Sequence, residues 1–273
     1  YLLDDTGTQV LARSTGNNIG RNAVEVLSFT NDNLFPTQFN LAITNPRGDT
    51  PNRLKYILFN SSTINEFASN SSTVFGHHAA IGAMAVGATN YRTTPLINRN
   101  PAILNWFSSV GPTTILFDKF GNRLPNPEIR QKPEIVAPDG TNTTFFGTDD
   151  NNDRDIFPNF SGTSAAAPHA AGVAALMLEV VPGTPPDILY EALKNSAIDM
   201  GAPGVDNQSG AGLIQADAAI RELQRLQALP EINLHIPDIT VTPSHTDNNA
   251  DRDFKGHGPR IRIQTQAVEV EQG

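Results

Sequence analysis

Cysteine is absent from this 273-residue chain, which excludes a disulfide framework, thiolate chemistry and any Cys-based zinc site. Charge is also scarce, at 17% of residues, and its balance is acidic. Nineteen Lys and Arg against 28 Asp and Glu leave a formal net charge of −9. That sign and the lack of a basic run argue against a nucleic-acid surface. No apolar run reaches the length of a membrane span, and no signal-peptide pattern opens the chain. The hydrophobic content of 38% is ordinary for a globular protein of one large domain, or one domain with an appendage. The first residue is Tyr1, and Tyr1-Leu2-Leu3 has the pattern of a strand interior. The chain is therefore expected to begin partway through a longer one.

What is present divides into regions. From 1 to 72 the pattern is all-β: Tyr1-Leu2-Leu3, an Asp4-Asp5-Thr6-Gly7 turn and Gln9 to Ala12 read as a hairpin. Val24 to Phe29, Gln38 to Ile43 and Leu54 to Phe59 read as further strands between Asn-, Gly-, Asp- and Pro-rich turns. This spacing predicts part of a β-sandwich. Near Thr73 the pattern changes. Ala83 to Ala88 is a small-residue apolar run of the kind buried on both faces of a parallel sheet. Phe107-Ser108-Ser109-Val110-Gly111-Pro112 and Lys132-Pro133-Glu134-Ile135-Val136-Ala137-Pro138-Asp139-Gly140 follow it.

The stretch Phe160-Ser161-Gly162-Thr163-Ser164-Ala165-Ala166-Ala167-Pro168-His169-Ala170-Ala171-Gly172 is the most informative. A glycine-flanked serine stands where a tight turn gives way to an apolar helix. Gly162 permits close backbone approach, and Ala165 to Ala167 add no bulk near the hydroxyl. A serine at a helix N-terminus feels the positive end of the macrodipole, and free N–H groups there can stabilise an oxyanion. The helix is expected from Ala165 to Val181, apolar nearly all round and hence buried. A second is expected from Pro186 to about Ala197, and a third, after Gly210-Ala211-Gly212-Leu213-Ile214, ending near Gln227.

The Ser164 segment resembles the nucleophile motif of the subtilisin-like serine proteases, the subtilases. Three further motifs stand in that family's order: the Ala-Val-Gly-Ala strand, the Phe-Ser-x-x-Gly-Pro turn and the Lys-Pro-x-Ile-x-Ala-Pro strand. The resemblance covers roughly 73 to 226. It implies an α/β fold, the C-terminal part of a subtilisin-like parallel sheet with helices on both faces, preceded by a partial all-β sandwich. The expected division is 1–72 as a partial sandwich insert, 73–228 as the C-terminal part of the catalytic domain and 229–273 as a loosely ordered extension. The implied activity is hydrolysis of peptide bonds through Ser164 and an acyl-enzyme, on protein or peptide substrates. It implies no cofactor for the chemistry, structural Ca²⁺ in many members, and an extracellular or cell-surface location.

A serine hydroxyl needs a histidine to take its proton and a carboxylate to orient that histidine. The family order is Asp, His, Ser. Asp5-Thr6-Gly7 looks like the family's Asp turn, but Thr8 to Arg13 returns as a hairpin strand and no His-Gly-Thr-His run follows. A plain β-turn needs the same residues. His77 and His78 precede Ser164 but sit where the family approaches the Ala-Val-Gly-Ala strand. His169, five residues beyond Ser164 on the same helix, points to another side of it, and the resemblance implies a packed structural residue there. Asn45 lacks the glycine of the family's oxyanion strand. The triad partners and oxyanion Asn are therefore expected upstream of Tyr1, and the isolated chain is expected to be inactive. The alternative is a protease-derived module kept for binding.

Asp149, Asp150, Asp153 and Asp155 form an acidic cluster with oxygen ligands suited to Ca²⁺, though without the spacing of an EF-hand, and they read as a solvated loop. The resemblance implies that Asp139 lies near the nucleophile, where it could tune the pocket or merely hold a turn, and it reads as the turn residue. Asn60, Asn70, Asn142 and Asn159 each open a glycosylation triplet.

Overall fold

A computed structural model describes residues 1–18, 24–51, 53–59, 62–69, 71–97, 101–144, 147–150 and 155–228. The expected extension at 229–273, Asp153, and the triplet asparagines Asn60 and Asn70 lie outside these residues. In chain order the strands are β1 (Leu2–Leu3), β2 (Val10–Ala12), β3 (Asn40–Leu41), β4 (Val86–Asn90), β5 (Thr113–Phe117), β6 (Arg123–Arg130), β7 (Ile135–Asp139), β8 (Thr141–Asn142) and β9 (Asn159–Phe160). The helices are α1 (Thr163–Val180), α2 (Pro186–Asn195) and α3 (Ala216–Ala228). They fall into two compact units, 1–83 with 109–133, and 84–108 with 134 onward.

In the first unit β1 lies between β2 and β3, antiparallel to both, with Leu2 opposite Ala12 and Leu41. The expected hairpin is present, and Asp4 closes its turn. Its carboxylate accepts from the Thr6 hydroxyl at 2.6 Å and from the N–H groups of Thr8 and Gln9 at 2.8 and 2.9 Å. These bonds, that from Thr6 foremost, hold Asp4 below the usual carboxylate range. The strands expected at 24–29 and 54–59 do not form. Val26 and Phe59 stay 77% and 88% exposed. A favourable residue pattern makes no strand where no ladder partner takes its backbone groups.

A second hairpin, β5 with β6, was not evident in the sequence. Asp118 nucleates it by accepting from the N–H groups of Phe120 and Asn122, both at 2.8 Å. Pro125 and Pro127 lie within β6, which pairs among the described residues with β5 alone, and proline is tolerated on such an edge. Lys132, 2% exposed, donates from Nζ to the carbonyls of Ala80 and Ala83 at 3.1 and 2.6 Å. A Cβ on Gly111 would lie 1.6 Å from the Lys132 carbonyl oxygen, so only glycine fits that crossing.

The second unit is built on β7. It pairs in parallel with β4, from Val86 opposite Ile135 to Asn90 opposite Asp139. At its other edge the Val136 N–H donates to Gly212 and the Val136 carbonyl accepts from Ile214, at 2.8 and 3.0 Å. Strand alternation then separates two apolar layers. Ile135 and Ala137 face Ala166, Ala170 and Met177 of α1, Leu189 and Leu193 of α2, and Ala219 and Leu223 of α3. Val136 faces Ala102, Leu104, Ile198, Met200 and Leu213. The α/β class and the parallel pairing are as expected. Of the helices expected on both faces, those among the described residues line one, and the loop segments around 102–104 and 198–200 cover the other. α1 differs from expectation in burial: Ala165, Ala166, Ala170 and Met177 are buried, while Leu176, Leu178 and Val180 are 48%, 40% and 46% exposed.

Two outcomes are expected. Lys132→Met leaves the carbonyls of Ala80 and Ala83 without their ammonium donor and should lower stability by about 2 kcal/mol in denaturant unfolding. On α3, Glu222 accepts from Arg225 at 2.7 Å and from Asn195 of α2 at 3.1 Å, and Arg225 above all pulls its pKa down from 4.5 to about 2. A depressed folded-state value stabilises above the unfolded pKa and loses that contribution as pH falls toward 2. Arg225 is half exposed, so Glu222→Gln should cost on the order of 1 kcal/mol or less at pH 7. Unfolding curves recorded across pH should show this cost vanishing near pH 2.

Candidate active site

Ser164 enters the structure through two short elements that bring the end of β7 against the start of α1. β8 and β9 pair antiparallel, with Thr141 opposite Phe160 and Asn142 opposite Asn159. The Gly140 N–H donates to the Phe160 carbonyl at 2.9 Å. Gly140 has φ +72°, and a Cβ there would meet the Asn90 amide at 2.9 Å. Asn159 is the knot of this region. Its amide donates to the Gly140 carbonyl and to Asn142 Oδ1 at 3.1 and 2.8 Å, while its Oδ1 accepts from the Asp150 N–H at 2.8 Å. At 9% exposure with its amide occupied, Asn159 is no glycosylation acceptor in the folded chain. The Asn142 amide is likewise bonded, to Asp155 at 2.7 Å.

Helix α1 starts without a side-chain cap. Its N-cap is Gly162, with φ 109° and ψ 170°. The Gly162 carbonyl accepts from the N–H groups of Ala165 and Ala166 at 2.9 and 3.2 Å. The Gly162 N–H donates to Asp139 Oδ2 at 2.7 Å, and Asn105 Nδ2 donates to Oδ1 of the same carboxylate at 2.8 Å. The N–H groups of Thr163 and Ser164 donate to no acceptor among the described residues. A serine or aspartate at the N-cap would occupy the N–H two or three residues on. Glycine there leaves it open. The Ser164 side chain is exposed, and Ala165 and Ala166 pack inward beneath it. Pro168, four residues on, has no N–H to give to the Ser164 carbonyl.

His169 is the sole histidine among the described residues of the unit that carries Ser164, and both its ring nitrogens are committed. Nδ1 donates to the Ala165 carbonyl at 2.8 Å, which leaves Nε2 to accept from the Thr141 hydroxyl at 3.3 Å. It is a brace between α1 and β8. The remaining candidates lie in the first unit. Asp5 lends its carbonyl to Asn40 at 3.0 Å, the Asn45 amide donates to the carbonyls of Gly48 and Asp49, and His78 Nδ1 sits 3.2 Å from the Phe75 carbonyl. His77 belongs to the same short 3₁₀ turn, Gly76–Ala79.

Of the acidic cluster, Asp150 and Asp155 each have local partners. Asp150 pairs with Arg92 at 2.6 Å, and that bond raises the Arg92 pKa further above its ordinary value. Asp155 accepts from Asn142 and from the Phe157 N–H. Among the described residues no group of three His, Asp or Glu could hold a metal ion. Between them and the serine turn lies a polar cleft of about 390 Å³, lined by Asn90, Gly140, Thr148, Asp150, Asn159 and Ser161 among others. No described helix is long and apolar enough to cross a membrane.

Sequence reasoning missed the hydrogen-bonding roles of Asn105 and Asn159. Asn159 had only its glycosylation triplet as a signal, and Asn105 had none.

Comparison with known proteins places these features in context. The chain is 40% identical over 62 residues to fervidolysin of Fervidobacterium pennivorans, 23% of this chain and 9% of that protein. It is 37% identical over 94 residues to the halolysin-like extracellular serine protease Nep of Natrialba magadii, 34% and 15% of the two chains. It is 28% identical over 214 residues to an extracellular basic protease of Dichelobacter nodosus, 72% and 34% of the two. The chain thus spans about a third or less of the length of each of these relatives. Among solved structures, fervidolysin, described as a keratinolytic enzyme related to subtilisin, aligns with a TM-score of 0.35 and 23% identity over 57% of this chain and 20% of that one. A model of the subtilase family matches residues 5–212, most of the chain, and the protein therefore belongs to that family.

Proposed function

We propose that this chain supplies the nucleophile of a serine endopeptidase, with Ser164 attacking the peptide carbonyl to form an acyl-enzyme. The observation that carries this reading is the start of α1. There an exposed hydroxyl stands beside its own unbonded N–H at the positive end of an 18-residue helix. As Oγ attacks, negative charge builds on the carbonyl oxygen, and the Ser164 N–H is placed to donate to it. The proton leaving Oγ needs a base, and His169, with both ring nitrogens bonded, is not one. We assign the histidine, the aspartate and the second oxyanion donor to sequence outside this chain. The isolated chain then has negligible peptidase activity.

The same reading takes residues 1–72 as a partial β-sandwich insert, 73–228 as the C-terminal part of the catalytic domain and 229–273 as an extension. Protein substrates and secretion follow from the relatives, several of which are named extracellular proteases.

In the complete protein purified from its source, Ser164→Ala should lower peptide hydrolysis by about 10⁴-fold or more. A fluorophosphonate probe should label the unaltered protein at Ser164 and leave the variant unlabelled. Hydrolysis retained by the variant would overturn the assignment. A complete protein that neither hydrolyses peptides nor takes the probe would establish a binding module instead.

A further inference from the structure

We infer that Asp139 is a positioning residue for the Ser164 nucleophile, replacing from a neighbouring strand the helix cap that the turn itself cannot carry. The inference rests on the assignment of Ser164 above and extends it to a residue that touches no reacting atom.

In a reciprocal helix cap, a polar N-cap side chain accepts from an N–H two or three residues on, and an acidic or amide residue three positions into the helix accepts from the N-cap N–H. Here those positions hold Gly162 and Ala165. Glycine at the first keeps the Ser164 N–H open, and alanine at the second keeps bulk away from the hydroxyl. The turn that suits a nucleophile therefore gives up both halves of its own cap. Gly162, with φ 109°, also has the conformational freedom to drift.

Asp139 takes over the second half. It stands at the C-terminal end of β7, opposite Asn90 of β4, and is 1% exposed. Its Oδ2 accepts from the Gly162 N–H at 2.7 Å, two residues before Ser164. Its Oδ1 accepts from Asn105 at 2.8 Å, which fixes the plane of the carboxylate. No cation pairs with it among the described residues. A buried carboxylate requires hydrogen-bond donors, and these two tie the serine turn to the most enclosed strand of the unit. The bond also withdraws the Gly162 N–H, leaving those of Thr163 and Ser164 as the open donors of the turn. Asp139 thus sets which N–H groups face the reacting carbonyl, and where.

The test uses the complete protein, with rates normalised to sites titrated by a fluorophosphonate. Asp139→Ala should lower kcat by about 10- to 100-fold, as expected for a small displacement of a reacting group, with KM changed less than about threefold. Its probe-labelling rate should fall in parallel. Asp139→Asn keeps an oxygen for the Gly162 N–H, as a weaker uncharged bond, and should recover about tenfold over Asp139→Ala. A merely structural aspartate would lower the melting temperature and leave kcat per titrated site at the unaltered value, and that result would overturn the inference. So would an Asp139→Asn variant no faster than Asp139→Ala. Should Asp139→Ala fail to fold, Asn105→Ala, which frees one carboxylate oxygen, should still lower kcat by about two- to fivefold, and an unchanged kcat would overturn the inference. Failure of the Ser164 assignment is distinguishable, because it shows as activity retained by Ser164→Ala whatever Asp139 does.

Discussion

The second unit depends on the enclosure of β7. Ile135, Val136 and Ala137 are each 0% exposed, and the strand is hydrogen-bonded along both edges. Burying Ile135 and Val136 contributes about 1.5–3 kcal/mol each, and in opposite directions, since they face different apolar layers. The strand can neither slip by a residue nor tilt without exposing one of those layers. Its last residue, Asp139, therefore emerges at a fixed place, and the loop that follows inherits that precision. The serine turn is rigid because of what it is attached to.

Small residues carry the geometry from the strand to the helix. Ala88 and Ala137 are in register across β4 and β7, and Ala166 and Ala170 of α1 join them in one buried cluster. Side chains of this size allow the helix to lie close on the sheet, so that its first turn is located by backbone shape more than by rotamers. Gly87 follows the same logic. A Cβ there would lie 3.3 Å from both Leu104 and Val136. Ser108 then serves the edge of β4, its hydroxyl accepting from the buried Ala88 N–H at 3.0 Å. The serine of the Phe-Ser-x-x-Gly-Pro turn is thus a substitute ladder partner. Its glycine meets a different demand, the close approach of the Lys132 backbone.

What could be read from the sequence was what local pattern decides. The start of α1 to within two residues, its end after Val180, the Pro-initiated α2 and the small-residue strands were all legible, because breakers, a helix-initiating proline and side-chain size act within a few residues. The failures share the opposite cause. The segments at 24–29 and 54–59 have strand composition and no partner strand among the described residues. The β5–β6 hairpin has partners, but two prolines in β6 mask its pattern. Asn159 spells a glycosylation triplet and is consumed by three local hydrogen bonds. The bond from Gly162 to Asp139 joins residues 23 positions apart, and nothing in either one's neighbours announces the other.

Helix α1 shows how composition and burial bear on the proposed function together. A helix with one solvent face normally carries polar residues there, yet this one runs Val173-Ala174-Ala175-Leu176-Met177-Leu178 with a single acidic residue before its end. Met177 is fully buried, while Leu176 and Leu178 on either side of it are 48% and 40% exposed. The sequence is written for cover on both sides, and the described residues provide it on one. Ser164 shows the same pattern at the other end of the helix. Its turn is held in place, its N–H donates to no described acceptor, and the described residues of its unit offer no free imidazole. An uncovered apolar face and an unserved nucleophile on one helix are both accounted for by a single neighbouring layer. Both features concern what the described residues leave beside α1, and both agree with the proposed reading in which further sequence completes the site.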